Sequence, residues 1–252
     1  MADFENAVIL ITGAASGIGA AVATRLAGDG VRKLILADIQ EDRLRDFAFS
    51  LPCERQMMIG DVSDETLWAS ADLTGLTHAV VNAGIGAGGS IEELAFAEWR
   101  RVMAINLDGA FLTLQAAMRA IRSGGRGGSV VLTASVAGLK AEPGIAAYAA
   151  SKAAVIQLAR VAAKEGASAG IRVNAIAPGG VETPIWHGLP GFGEMVGAQG
   201  ETAAFKTMAE MATPLGRFAQ AEEMAEHIAF LLSDKAAFTT GSCLVSDGGY
   251  SL

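Results

Sequence analysis

The chain is poor in the residues that build covalent or metal scaffolds. Its two cysteines, Cys53 and Cys243, stand far apart and form no C-x-x-C pair, which excludes a disulfide framework or a cysteine zinc site and leaves two inert thiols. Three histidines, His78, His187 and His227, are scattered without metal-ligand spacing, so no metal site is expected. Positive charge is also scarce: 19 Lys and Arg against 27 Asp and Glu leave a formal charge of −8. The electrostatic footprint of a nucleic-acid binder is absent. No run reaches the roughly eighteen uninterrupted apolar residues of a membrane span. The opening "MADFENAVILITG" carries acids where a secretory signal carries positive charge. A soluble, cytoplasmic protein without nucleic-acid or membrane partners is expected.

What is abundant is apolar: 51% of the 252 residues are hydrophobic, enough for one large core. Short aliphatic runs alternate with helical patterns. The runs are "AVILIT" from Ala7, "KLILAD" from Lys33, "QMMIG" from Gln56, "HAVVNA" from His78, "SVVLTAS" from Ser129 and "IRVNAIA" from Ile171, with "CLVSDGG" near Cys243 as a seventh candidate. Near-continuous apolar strands of this kind require helices on both faces. The fold class follows: a doubly wound α/β parallel sheet of about seven strands, Rossmann-like. Helices are expected over 17–28, 41–49, 64–71, 97–121, 146–167 and 221–232. "SGGRGGS" from Ser123 reads as a turn, and no linker divides the chain, so 1–252 reads as one domain. The stretch 181–213 interleaves glycines with Trp186, Phe192, Met195 and Phe205, the pattern of a loop covering a substrate. Those aromatics line a pocket in one reading and pack into the core or a subunit contact in the other.

"TGAASGIG" after the first strand places Gly13, Gly17 and Gly19 across a strand-to-helix turn. Glycine there admits a pyrophosphate close to the backbone, and the helix amino terminus offers free N–H groups. The spacing, G-x-x-x-G-x-G, taken alone also fits a structural tight turn; its place between a strand and a helix favours a dinucleotide. Asp38, roughly twenty residues on, ends the second strand where an acid accepts hydrogen bonds from an adenosine ribose. Its charge would repel the extra phosphate of NADP, Arg43 being the one nearby candidate to offset it, so NAD is favoured. A plain helix-capping role for Asp38 is the alternative. The ends of the remaining strands carry Asp61, Asn82 with Gly84, Ser135, and Pro178 with Gly179. That edge is where open parallel sheets bind ligands.

"AAYAASKAAV" sets Tyr148 and Lys152 one helical turn apart on one face. Alone, the pair fits a surface contact as well as an acid/base device. With Ser135 ending the preceding strand, all three can meet beside a nicotinamide. A tyrosine base near neutrality needs its pKa lowered by roughly three units, about 4 kcal/mol. A unit charge about 4 Å away supplies roughly that at an effective dielectric near 20.

In "TGAASGIG", "DV" at Asp61, "NAG" at Asn82, "IN" with Asn106, "TASVAG", "YAASK", "PGGVETP" and "SDGG", in this order, the chain resembles the short-chain dehydrogenase/reductase family over essentially its whole length. The resemblance implies Tyr148 as general acid/base, Ser135 as hydrogen-bond donor to the substrate oxygen, and Lys152 as holder of the nicotinamide ribose. It implies that Asn106 positions a relay water, although a buried turn residue is the alternative. It also implies cofactor contacts from Gly13, Ser16, Gly17, Ile18, Gly19, Asp38, Asp61, Val62, Asn82, Ala83, Gly84, Pro178, Gly179, Val181 and Thr183, besides Tyr148 and Lys152.

Two departures stand out. Val81 replaces the first of two asparagines common before the Ala-Gly, and the short stretch between Asp61 and Asn82 implies a truncated third helix. The expected activity is NAD-dependent interconversion of a moderately hydrophobic secondary alcohol and its ketone, with Glu142, Ile145 and Trp186 joining Ser135 and Tyr148 around the substrate. The resemblance further implies a homotetramer pairing through 97–121 and 146–167, with "SDGGYSL" as a candidate subunit contact. The rival readings are a non-catalytic NAD-binding regulatory protein, a structural interaction protein, and an NADPH-dependent 3-ketoacyl-thioester reductase.

Overall fold

The computed structural model describes residues 4–189 and 191–252. Residues 1–3 and Pro190, which fall within the expected domain and covering-loop boundaries, lie outside the described residues. The strands are β1 Val8–Thr12, β2 Lys33–Asp38, β3 Glu54–Ile59, β4 His78–Val81, β5 Gly128–Thr133, β6 Ile171–Pro178 and β7 Cys243–Ser246. They form one sheet in the order β3-β2-β1-β4-β5-β6-β7, parallel throughout. After β3 the chain crosses back to the other side of β1. The loops following β1 and β4 therefore diverge, opening a crevice at the carboxyl ends of the strands.

The helices are α1 Gly17–Gly28, α2 Glu41–Phe49, α3 Glu65–Ala69, α4 Phe96–Met103, α5 Gly109–Gly124, α6 Ala146–Gly166, α7 Phe192–Gln199, α8 Glu201–Ala212 and α9 Ala221–Leu232. Because alternate strand residues point to opposite faces, the core divides in two. Ile9, Ile11, Leu34, Leu36, Val131 and Ile176 pack with Val22 and Leu26 of α1 and with Met224 and Ile228 of α9. On the other face Leu10, Ile35, Val130 and Leu132 pack with Leu114 and Ile121 of α5 and with Val155 and Ile156 of α6. Val81, where the family pattern often has asparagine, joins this second cluster as a buried apolar residue.

Two expectations are revised, and a third, the truncated third helix, is met. The helix expected over 97–121 is two, α4 and α5, joined by a π-helical turn at Ala104–Asp108 that contains Asn106. A π turn widens the ring of backbone bonds by one residue and re-aims a side chain. Here it turns Asn106 inward, onto the backbone of Ile85. The third helix, expected over 64–71, is five residues long, capped by the Asp64 carboxylate on the Thr66 N–H.

The stretch 181–213 is largely helical rather than a loop, with a 3₁₀ turn at Pro184–Gly188 followed by α7 and α8. Gly191, at φ of +78°, leads into α7, and Gly200, at +81°, ends α7 and starts α8. Phe192, Phe205 and Phe218 bury themselves into a satellite core that Trp186 and Met195 flank. Phe192, Met195 and Phe205 thus pack against one another and are not part of a pocket wall.

Candidate active site

The carboxyl-end crevice holds a cavity of about 710 Å³. Its floor starts at the turn after β1, where Gly13 has φ +65°. A Cβ on Gly19 would lie 2.1 Å from the Gly13 carbonyl oxygen, so the turn can close only with glycine there. Thr12 ties this turn to β4: its Oγ1 accepts from the N–H groups of Asn82 at 3.0 Å and Ala83 at 3.1 Å. The Asn82 side chain donates back to the Thr12 carbonyl at 3.0 Å. Asp38, buried at the end of β2, accepts from Ala15 N–H and Gln40 N–H, both at 2.9 Å, one on each oxygen. Each oxygen keeps a lone pair for a further donor.

At the end of β5, Ser135 Oγ accepts from Ala137 N–H at 3.1 Å and neighbours the Tyr148 phenol. Tyr148 comes from the first turn of α6. One turn on, the buried Lys152 donates from Nζ to the Thr133 carbonyl at 2.9 Å and stands 5.7 Å from the Tyr148 ring centroid. Burial dominates the electrostatics of both groups. It pushes the phenol up, with the Ser135 hydroxyl pulling the other way, and it pushes the Lys152 ammonium down to about 8. The lowered tyrosine pKa expected from the sequence is therefore not reached by the protein groups alone, because burial of the phenol itself favours its neutral form. The hydroxyl of Thr133, buried on the same wall, has no hydrogen-bond partner among the described residues.

A family model described as Enoyl-(Acyl carrier protein) reductase matches residues 13–251. The chain is 38% identical to cis-4-hydroxycyclohexanecarboxylate dehydrogenase of Sinomonas cyclohexanicum, with 98% of each chain covered. It is also 38% identical to cyclohexanol dehydrogenase of Acinetobacter sp. (strain SE19), covering 98% of this chain and 96% of that one. The crystal structure of levodione reductase superposes with a TM-score of 0.88 at 34% identity, covering 98% of both chains. The chain belongs to the short-chain dehydrogenase/reductase family.

In this short-chain dehydrogenase/reductase, every residue assigned from the sequence to catalysis, cofactor or substrate lines this cavity except Gly19 and Asn106. Gly19 serves the turn from behind. Asn106 is 1% exposed, and its side chain is committed elsewhere: Oδ1 accepts from Ile85 N–H at 2.8 Å, while Nδ2 donates to Ile85 O at 3.0 Å and Ser151 Oγ at 3.3 Å. It joins the loop after β4 to α6 and has no bond to Lys152, although both flank Gly84.

Sequence reasoning missed Tyr250, Arg101, Leu189, Met208 and Phe218, which also line the cavity. Tyr250 lies in "SDGGYSL", the segment read as a candidate subunit contact, and it reaches the wall of its own cavity. The signal was present in composition, since the chain has two tyrosines and both reach this wall.

The residues present suit a dinucleotide. The glycine turn leaves no room for a side chain, the α1 amino terminus borders the cavity through Ser16 and Gly17, and Asp38 retains free acceptor capacity.

Proposed function

We propose that the protein is an NAD-dependent oxidoreductase interconverting a secondary alcohol and a ketone, with Tyr148 as general acid/base. The observation that carries this reading is the meeting of Ser135, Tyr148 and Lys152 on one wall of the cavity whose floor is the glycine turn. When bound, a nicotinamide supplies the hydride acceptor for oxidation or the donor for reduction. Tyr148 takes the proton of the alcohol oxygen as the carbinol hydride departs, and returns it in the reverse direction. Ser135 Oγ accepts from Ala137 N–H, and its proton would turn from the phenol to the substrate oxygen. Lys152 supplies a positive charge beside the phenol and a donor within reach of a ribose.

Gly13, Ser16, Gly17 and Ile18 would cradle the pyrophosphate, and Asp38 the adenosine ribose. Asp61 and Val62 would flank the adenine. Asn82, Ala83, Gly84, Pro178, Gly179, Val181 and Thr183 would line the path to the nicotinamide. The Asp38 carboxylate supports NAD over NADP, since it would repel an added phosphate. Glu142, Ile145 and Trp186 would face the substrate, covered by residues 181–213. Exposed Phe111 on α5 and Val161 on α6 support a homotetramer paired through those helices. No described helix is long and apolar enough to cross a membrane, and a cytoplasmic setting suits a pool of free NAD.

Nicotinamide absorbance decides the matter, followed with NAD or NADH across secondary alcohols and ketones, with NADPH and a 3-ketoacyl thioester as a separate arm. Turnover of an alcohol with NAD that Tyr148→Phe abolishes is the expected result. Thioester reduction alone, or full activity in Tyr148→Phe, overturns the proposal.

A further inference from the structure

The cavity wall carries a second polar group that hydride transfer does not use. Glu142 enters from the segment before α6, and Tyr250 from the segment after β7. Lys140 fastens them together. Its Nζ donates to the Tyr250 carbonyl at 2.8 Å, lies 4.2 Å from the centroid of the Tyr250 ring, and stands 3.5 Å from Glu142 Oε1. The Tyr250 phenol neighbours the Glu142 carboxylate, and burial together with that carboxylate pushes its pKa up to about 12, so it remains a donor. Asp247 holds the tail turn from below, accepting from the N–H groups of Gly249 at 2.9 Å and Ser251 at 2.8 Å. Two segments distant in sequence are thereby locked into one rigid polar corner.

An ionised carboxylate is acceptor-only and has about four lone-pair sites. Lys140 and Tyr250 leave part of that capacity unused, on a residue that faces the cavity. Arg101, also on the wall, is spoken for: its Nε and guanidinium NH2 bind Glu98 at 2.8 and 2.6 Å. The surrounding wall is apolar, built of Ile145, Trp186, Leu189 and Met208. Such a corner rewards a substrate group that donates a hydrogen bond and penalises one that brings a negative charge.

We propose that Glu142, positioned by Lys140 and Tyr250, accepts a hydrogen bond from a second hydroxyl of the substrate, so that the substrate class is a secondary alcohol bearing a further hydroxyl group and carboxylate-bearing alcohols are rejected. This deepens the alcohol-dehydrogenase reading and rests on it.

The test is steady-state oxidation by the full-length protein with saturating NAD, using cyclohexanol, the regioisomeric cyclohexanediols and 4-hydroxycyclohexanecarboxylate as probes. At least one diol is expected to show a KM about tenfold below that of cyclohexanol, with the carboxylate the poorest substrate. Glu142→Gln should lower the diol-to-cyclohexanol ratio of kcat/KM by about tenfold, carried by the KM of the diol, and should narrow the disadvantage of the carboxylate. Tyr250→Phe, which removes one hydroxyl, should move the same ratio in the same direction. Preference for cyclohexanol over every diol, or a ratio unmoved in Glu142→Gln, overturns the diol assignment while leaving the dehydrogenase reading intact. Absence of oxidation of any alcohol in the panel overturns the dehydrogenase reading, and the proposal falls with it.

Discussion

The Lys152 ammonium stands 5.7 Å from the centroid of the Tyr148 ring; the lysine is buried and the tyrosine half-buried. At such a separation a unit charge contributes about 3 kcal/mol at an effective dielectric near 20, which opposes but does not abolish the burial of the phenol. Tyr148→Phe should lower kcat by about a hundredfold to ten-thousandfold, while the Kd for NADH stays within a few-fold. The pH dependence follows from the directions of the two shifts. Oxidation needs the deprotonated phenol, whose pKa is raised, so kcat/KM for the alcohol should climb with pH through the neutral range. Ketone reduction needs the protonated phenol and should be flat there and fall only in alkali. Stopped-time assays in both directions across pH check the pair of profiles.

Asp38 holds its carboxylate between the N–H groups of Ala15 and Gln40. Asp38→Ser removes the charge and keeps a small polar group at the end of β2. The KM for NAD should rise about tenfold and the preference for NAD over NADP should shrink by a larger factor, because one change removes both a ribose acceptor and a phosphate repeller. Initial rates with each nucleotide measure this directly.

Trp186 stacks on Phe218 with ring centroids 5.1 Å apart and planes 15° apart, and its Nε1 donates to the Val181 carbonyl at 2.7 Å. It therefore joins the satellite core of α7 and α8 to the segment leaving β6. Trp186→Ala should destabilise this unit by about 3 kcal/mol. Hydrogen exchange should quicken across residues 192–212 more than in β1 or β5, and the KM for the alcohol should rise.

His78 begins β4 with its Nδ1 2.8 Å from Thr77 Oγ1 and its ring against the edge of Phe4. Burial, with help from Arg172, pushes its pKa down to about 4. The unfolded chain takes up a proton near pH 6.5 and the folded one only near 4, so stability is present above about pH 6.5 and is lost as pH falls toward 4. The loss is about 3 kcal/mol in all. Urea unfolding of the wild type and of His78→Gln across that window should give curves that converge toward acid, as the variant lacks this titration.

Much of the site was legible along the chain. Gly13, Asp38, Asp61, Asn82, Ser135 and Pro178 each follow an aliphatic run, and a parallel sheet brings such positions to one edge whatever the details of packing. Asn106 was legible as a position, while its inward turn depends on a π-helical insertion that no hydrophobic period announces. The aromatics of 181–213 carried no sign of their direction. Phe192 and Phe205 turned inward because Phe218, from beyond α8, offered them a partner, while Trp186 kept one side on the cavity.

The sequence by itself determined the strands, the glycine turn after β1, and the one-turn spacing of Tyr148 and Lys152. These rest on backbone period and local turn chemistry, which act between near neighbours. Only the tertiary structure decided that Tyr250 meets Glu142 through Lys140, that burial outweighs the pull of Ser135 at Tyr148, and that Asn106 binds Ile85. Each of those depends on which distant segments pack together and how much water they displace, and that is settled only when the whole core closes.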